Sequence, residues 1–341
     1  MILITGGSGY FGSLLLGKVR ERGHRCRVFD LTDAEDRPHD VEFVPGDIRD
    51  FDAVRRACEE IEIIYHNVAQ VPLAKNRALF ESVNVQGAEN VLEAARVAGV
   101  RKVIYTSSSA VYGVPPANPV TEQMEPHPGE AYGRAKHHGE RLCQRFASAG
   151  LDVTIIRPRT ILGHGRLGIF QILFEWVREG VNIPVLGTGE NKYQFVHAHD
   201  LAEACILASR RPGPAVYNCG AERFGTMREG LEALCRHAGT GSRVRSVPMG
   251  PAVCLMRVTS ALGLSPLGAY HALMYGRSFH FDITRAKAEL GWRPKYSNEE
   301  MLIESYQWYL ENRDRVLSSS EGTPHRSAVK QGALRLLRWF L

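Results

Sequence analysis

Short apolar runs ending in glycine or polar turns alternate along this chain with segments of helical period. Ile2-Leu3-Ile4 is too short and too uniformly apolar for a half-exposed strand, so it reads as a buried parallel strand. A glycine-rich turn follows, and then a 3.6-residue period over residues 13–22. Residues 25–29 alternate and end at Asp30. Residues 41–44 form a third apolar run, 51–60 a helical pattern, 61–65 a strand, 79–97 a long helical pattern and 103–106 another strand. Beyond these, the pattern predicts a strand over 151–157, a helix over 169–178, a turn at 185–189 and a strand over 194–197. A helix with Asp200 as its N-cap and a final helix over 298–312 follow. Strands and helices in this alternation imply an α/β fold with a doubly wound parallel sheet. Functional groups then gather at the carboxyl ends of the strands.

Domain boundaries follow from the same pattern. Residues 1–160 read as a dinucleotide-binding domain, and 161–312 as a substrate-binding region with segments returning to the first sheet. Residues 313–341 read as a linker and a tail. The tail is a basic amphipathic pattern over 328–341, short enough that any membrane contact would be weak and peripheral. No run reaches the ~18 apolar residues that a spanning helix needs.

Composition narrows the class. The 341 residues are 44% hydrophobic and 23% charged, with a net charge of +5, as in an ordinary soluble protein. That mild positive balance suits an anionic small-molecule ligand, and before residue 313 there is no basic patch interleaved with aromatics that would suit nucleic acid. Seven dispersed cysteines without close pairing read as reduced thiols, and the N-terminus lacks the pattern of a signal peptide, so a cytoplasmic location is expected.

The candidate chemistry begins at Gly6, Gly9 and Gly12, spaced by three at the first strand–helix junction. Gly6 permits the tight turn, Gly9 lets a pyrophosphate approach the backbone, and Gly12 lets the helix lie close to the strand. The helix N-terminus offers its free N–H groups to phosphate. Asp30, at the end of the second strand, can accept hydrogen bonds from ribose hydroxyls and repels a 2′-phosphate, which favours NAD over NADP; Arg37 in the following loop keeps NADP open. Asp47 is placed either to meet an adenine edge or to serve the helix cap near Asp50. Tyr132 and Lys136 are four apart, so on a helix they share a face. An ammonium beside a phenol lowers its pKa toward the range of general acid–base work. His197 and His199 alternate as if on one strand face, but no third ligand accompanies them and no metal is expected.

Thr5–Gly12 (TGGSGYFG), Asp30, Gly46-Asp47-Ile48, Asn84–Gly87 (NVQG), Ser107–Gly113 (SSSAVYG) and Tyr132–Lys136 (YGRAK) together resemble an extended short-chain dehydrogenase/reductase, and the match runs through Trp292. The resemblance implies a Rossmann domain with a smaller mixed α/β C-terminal substrate domain, NAD as cofactor, and a homodimer formed through the helices before and within the Tyr132 segment. It makes Ser108 the hydroxyl that assists Tyr132, with Ser107 and Ser109 as fallbacks, and gives Lys136 the nicotinamide ribose. Tyr10, Phe11, Ile48 and Ala69 join Gly6, Gly9, Gly12, Asp30, Asp47, Tyr132 and Lys136 as the residues expected around NAD.

Departures from the family pattern narrow the reaction. Dehydratases of this kind carry an Asp-Glu pair after the catalytic hydroxyl, where this chain has Ser109 and Ala110. That form is closer to the sugar-nucleotide epimerases or to a plain dehydrogenase. The usual asparagine after the Arg157 strand is replaced by Pro158-Arg159, and the usual arginine before the Phe195-Val196-His197 strand by Tyr193. Arg159, Arg166, Lys192 and Arg277 remain as cations for a diphosphate, with Ser109 beside the substrate. Residues 251–275 are unusually apolar, and Arg157-Pro158 also resembles 3β-hydroxysteroid dehydrogenase relatives. The leading expectation is an NAD-dependent epimerase of a nucleotide-activated sugar. The alternatives are an NAD(P)-dependent dehydrogenase of a hydrophobic secondary alcohol and a catalytically silent dinucleotide-binding module.

Overall fold

The computed structural model describes residues 1–70, 77–166, 168–261 and 274–318. Its centre is a seven-stranded, wholly parallel sheet. In chain order the strands are β1 (Ile2–Thr5), β2 (Cys26–Asp30), β3 (Glu42–Pro45), β4 (Ile63–His66), β5 (Lys102–Thr106), β6 (Val153–Pro158) and β10 (Ala215–Cys219), arranged spatially β3-β2-β1-β4-β5-β6-β10. Leu3, Ile4, Ile64, Val103 and Ile104 are fully buried, as expected for strands covered on both faces. The covering helices on one side include α2 (Phe51–Ala57), α4 (Gly87–Val97) and α5 (Ala131–Ser148). On the other are α1 (Tyr10–Arg20), α7 (Ala198–Arg210) and the short α10 (Thr284–Leu290).

Ile2 pairs with Cys26 on one side and Ile63 on the other, so β1 lies between β2 and β4. The strand order reverses there, and the carboxyl ends of β1 and β4 flank a crevice. Two small parallel sheets lie beyond the main one. They pair β7 (Thr160–Leu162) with β9 (Phe195–His197), and β8 (Ile183–Leu186) with β11 (Val244–Val247). Helices α6 (Ile169–Arg178), α8 (Met227–Ala238) and α11 (Asn298–Ser318) bury a third apolar cluster around Phe174, Leu234 and Tyr309. Trp292 is fully buried and donates its indole N–H to the Asp200 carbonyl at 2.8 Å.

Several elements differ from the sequence pattern for identifiable reasons. Helix α1 starts at Tyr10, not at residue 13, because the extended Gly9 is already its N-cap. The 79–97 pattern is a short helix, α3 (Arg77–Glu81), a π turn over Ser82–Gln86, and then α4. The π turn buries Asn84, whose amide clamps the backbone of Gln70 at 2.7 and 3.0 Å. Asp200 is not the cap of α7. The His197 ring fills that role, accepting from the His199 N–H, while Asp200 accepts the Lys295 and Tyr296 N–H groups. The two histidines therefore do not share a strand face: His197 ends β9 and His199 lies in α7, their rings stacked at 5.3 Å. No cluster of metal-ligating side chains exists among the described residues. The final helix runs on to Ser318.

No helix among the described residues is long and apolar enough to cross a membrane. Of the apolar stretch 251–275, helix α9 (Met249–Ala261) leaves Leu255 and Val258 half exposed, and 262–273 lie outside the described residues. So does the amphipathic pattern at 328–341.

Candidate active site

A cavity of about 690 Å³ opens along the carboxyl ends of β1, β2, β4 and β5 and continues to the β6–β7 link. Its wall carries Gly6, Gly9, Tyr10, Phe11, Gly12, Asp30, Asp47, Ile48, Ala69, Ser108, Ser109, Tyr132, Lys136, Arg159 and Arg166. The sequence assigns every one of these to cofactor, substrate or reaction, so the fold gathers into one cavity residues drawn from the first half of the chain. Lys192 and Arg277, the other two candidate cations, are exposed and do not line the cavity.

The first turn explains its glycines. Gly6 has φ +75°, and a Cβ on Gly12 would sit 2.0 Å from the Gly6 carbonyl oxygen, so only glycine at both places lets α1 rest on the end of β1. The cradle this leaves fits the pyrophosphate of a dinucleotide, with the α1 N-terminus pointed at it. The Asp30 carboxylate accepts N–H bonds from Ser8 at 3.1 Å and Leu31 at 2.8 Å, which fix it on the cavity rim. Burial raises its pKa against these two bonds, which lower it. Arg37 is paired with Asp33 and stacks over Phe43, so it is engaged locally and is not poised for a 2′-phosphate. The cap of α2 is Asp50, which accepts from Ala53 N–H at 3.1 Å. Asp47 is held by Arg49, and this pairing lowers its pKa.

Tyr132 opens α5. Glu130 caps the helix, accepting from the N–H groups of Tyr132 at 2.7 Å and Gly133 at 2.6 Å, and so orients its first turn. Nothing in the sequence pattern marks Glu130 beyond its position before the helix. A Cβ on Gly139 would lie 2.2 Å from the Tyr105 hydroxyl, so α5 can pack this closely on β5 only with glycine there. That contact delivers Lys136, 3% exposed, to the Thr106 carbonyl oxygen at 2.8 Å.

Burial dominates the electrostatics of this pair. Burial pushes the Tyr132 phenol up to about 12; a hydrogen bond with Ser108 and the charge of Arg166 act to lower it, while Glu130 raises it. The Lys136 ammonium donates to the Thr106 carbonyl oxygen and keeps its charge there. Burial drops Lys136 itself to about 8. The Ser108 oxygen also accepts the Ala110 N–H at 3.1 Å, so the hydroxyl is fixed from two sides. His66, paired with Thr5 at 2.7 Å, is driven down to about 3 by burial and by Lys136, and so stays neutral beneath the site.

Ser107 is not a fallback for Ser108: its hydroxyl donates to Glu140, which also holds Arg157 at 2.6 and 2.8 Å. Arg157 in turn donates to Tyr112 at 2.6 Å. This buried network joins α5 to β5 and β6 behind Lys136. Arg166 belongs to a glycine-containing loop after β7. His164, in the same loop, is tied to Glu304 of α11 at 2.7 Å.

Comparison with known proteins gives a consistent picture. The sequence model of the NAD-dependent epimerase/dehydratase family matches residues 2–220. An uncharacterized protein of Sinorhizobium fredii, y4nG, is 54% identical over 99% of this chain and 86% of its own length. UDP-glucose 4-epimerase of Mycolicibacterium smegmatis is 30% identical over 90% of this chain and 97% of its own. Among solved structures, a UDP-glucose 4-epimerase of Thermotoga maritima with UDP-glucose superposes with a TM-score of 0.77 at 26% identity, covering 92% of this chain and 99% of that one.

Proposed function

The chain belongs to the NAD-dependent epimerase/dehydratase family, and from that premise we propose that it is an NAD-using enzyme that inverts a carbinol of a nucleotide-activated sugar through a keto form. The observation that carries this reading is the Ser108–Tyr132 hydroxyl pair in the cavity wall, followed by Ser109 and Ala110 where an eliminating enzyme needs carboxylates. With no acid at 109 or 110, loss of water has no proton donor or acceptor there, while reversible removal of one hydroxyl proton needs only Tyr132 and Ser108. The relationship to a UDP-glucose 4-epimerase supports the same reading.

Gly6, Gly9, Gly12 and the start of α1 would hold the pyrophosphate of NAD, Asp30 its adenosine ribose, and Lys136 its nicotinamide ribose. NAD, when bound, supplies the hydride acceptor and later the donor. Tyr132 takes the proton of the sugar hydroxyl and returns it at the end of the cycle. Ser108 shares that oxygen and keeps it in place, and Lys136, held on Thr106, supplies a positive charge that favours the phenolate Tyr132 needs to take the proton.

A dehydrogenase of a hydrophobic alcohol is less well supported, because no described residue of α9 lines the cavity, whereas Arg159 and Arg166 do. A homodimer through α4 and α5 belongs to the proposal, and analytical ultracentrifugation checks it. The deciding assay for the function is interconversion of UDP-glucose and UDP-galactose by the NAD-loaded chain, followed by product analysis and absorbance of reduced NAD. Epimer formation without net reduced NAD is the expected result; steady accumulation of reduced NAD would show a dehydrogenase instead.

A further inference from the structure

Two arginines in the β6 region are buried, and they are treated in opposite ways. Arg157 meets Glu140 through two hydrogen bonds. Arg159, two residues on and 1% exposed, has no carboxylate partner among the described residues. Its Nη1 donates to the Ser109 hydroxyl at 2.9 Å, and its Nε and Nη2 have no hydrogen-bond partner. The guanidinium lies 3.9 Å from the Phe279 ring centre, with Tyr193 at 4.8 Å and Phe281 at 5.7 Å.

Those aromatic faces attract the cation and fix its plane. They accept nothing from the N–H donors, which point outward in that plane. A buried charge in this state is costly unless something neutralises it. Arg166, partly exposed on the loop after β7, is related: its guanidinium stacks over Tyr10 at 5.5 Å, and its Nε has no partner. Both arginines line the cavity that holds Ser108 and Tyr132. Ser109, the seat of Arg159, is the chain neighbour of Ser108, so this positive charge is held next to the hydroxyl pair.

We propose that Arg159 on Ser109, with Arg166 in the same cavity wall, receives a carboxylate carried by the sugar ring itself, so that the substrate is a nucleotide-activated uronic acid. This rests on the nucleotide-sugar reading above and specifies its substrate. A neutral hexose brings no anion of its own to Arg159 on Ser109; the diphosphate is the other counter-ion the substrate offers, and binding of UDP alone to the Arg159→Gln chain separates the two. A ring carboxylate supplies the charge-assisted bonds that the protein withholds.

The test is calorimetric binding of UDP, UDP-glucose and UDP-glucuronate to the NAD-loaded full chain. UDP-glucuronate should bind about tenfold more tightly than UDP-glucose, and Arg159→Gln should narrow that gap to under about threefold while UDP alone binds as before. Arg159→Lys, which keeps the charge, should retain part of the gap. If Arg159→Gln fails to fold, Ser109→Ala and Arg166→Gln leave the aromatic cage intact, and each should lose part of the preference. Equal affinity of the native chain for the two sugar nucleotides overturns the carboxylate assignment and leaves the epimerase reading standing. A preference that survives all these substitutions overturns the role of the arginines. Failure of UDP and of both sugars to bind overturns the sugar-nucleotide reading, and this proposal with it.

Discussion

The Nζ of Lys136 stands 2.8 Å from the carbonyl oxygen of Thr106, and this bond, made at the end of β5, immobilises the ammonium in the cavity wall. Its burial has a consequence for stability. The folded pKa is about 8, below the 10.5 of a free lysine side chain. Between those values the unfolded chain binds more protons than the folded one, so stability gained from this group rises with pH across that window, and the cost of charge burial is full below about 8. Lys136→Met should therefore stabilise the protein at pH 7 by roughly 1–3 kcal/mol, with the difference shrinking as pH approaches 10.5, while turnover collapses. Urea denaturation of both forms at several pH values measures it; a Lys136→Met chain less stable than the native at pH 7 would contradict the linkage.

Tyr132→Phe removes the hydroxyl assigned to exchange a proton with the substrate. Activity should fall by about 10³–10⁴, with NAD affinity little changed. Retained turnover would remove Tyr132 from the mechanism. Ser108→Ala has a distinct signature: it deletes a hydrogen bond that lowers the Tyr132 pKa, so an ultraviolet titration should show that phenol ionising later than in the native chain.

Asp30 is fixed by two backbone N–H groups and cannot turn away from the rim. Asp30→Ala should weaken NAD about tenfold and relax the bias against NADP, since a hydrogen-bond acceptor and a repelling charge vanish together. Fluorescence titration with both cofactors checks this. An unchanged NAD dissociation constant would refute the ribose role.

Gly12→Ala places a methyl group 2.0 Å from the Gly6 carbonyl oxygen, a distance that only movement of α1 can relieve. Thermal melting should show a loss of roughly 1–3 kcal/mol, and NAD binding should weaken, because the displaced helix no longer aims its N-terminus at the phosphates. Native-like stability together with native NAD affinity would mean that the turn adapts.

The nucleotide side of the molecule was legible because its determinants are local. A glycine every third residue, an acid closing the next strand and a Tyr–Lys spacing of four are each written within one strand–helix unit. What escaped depends on residues far apart in the chain. The cage around Arg159 draws on Tyr193, Phe279 and Phe281, and nothing at those positions announces that they converge. The Tyr132–Lys136 spacing places both on α5, but spacing says nothing of the burial that raises the pKa of the phenol and lowers that of the ammonium, or of the β5 carbonyl that holds the ammonium. The cap of α7 was missed for a related reason: His197 is an unusual capping residue, and Asp200 is occupied by the Lys295–Tyr296 backbone.

Glu304, on the last helix, grips His164 at the foot of the loop that bears Arg166. The final stretch of the described chain thus acts as a buttress for the cavity wall, and a tag or truncation that shifts this helix would be felt as altered catalysis well before it registered as unfolding.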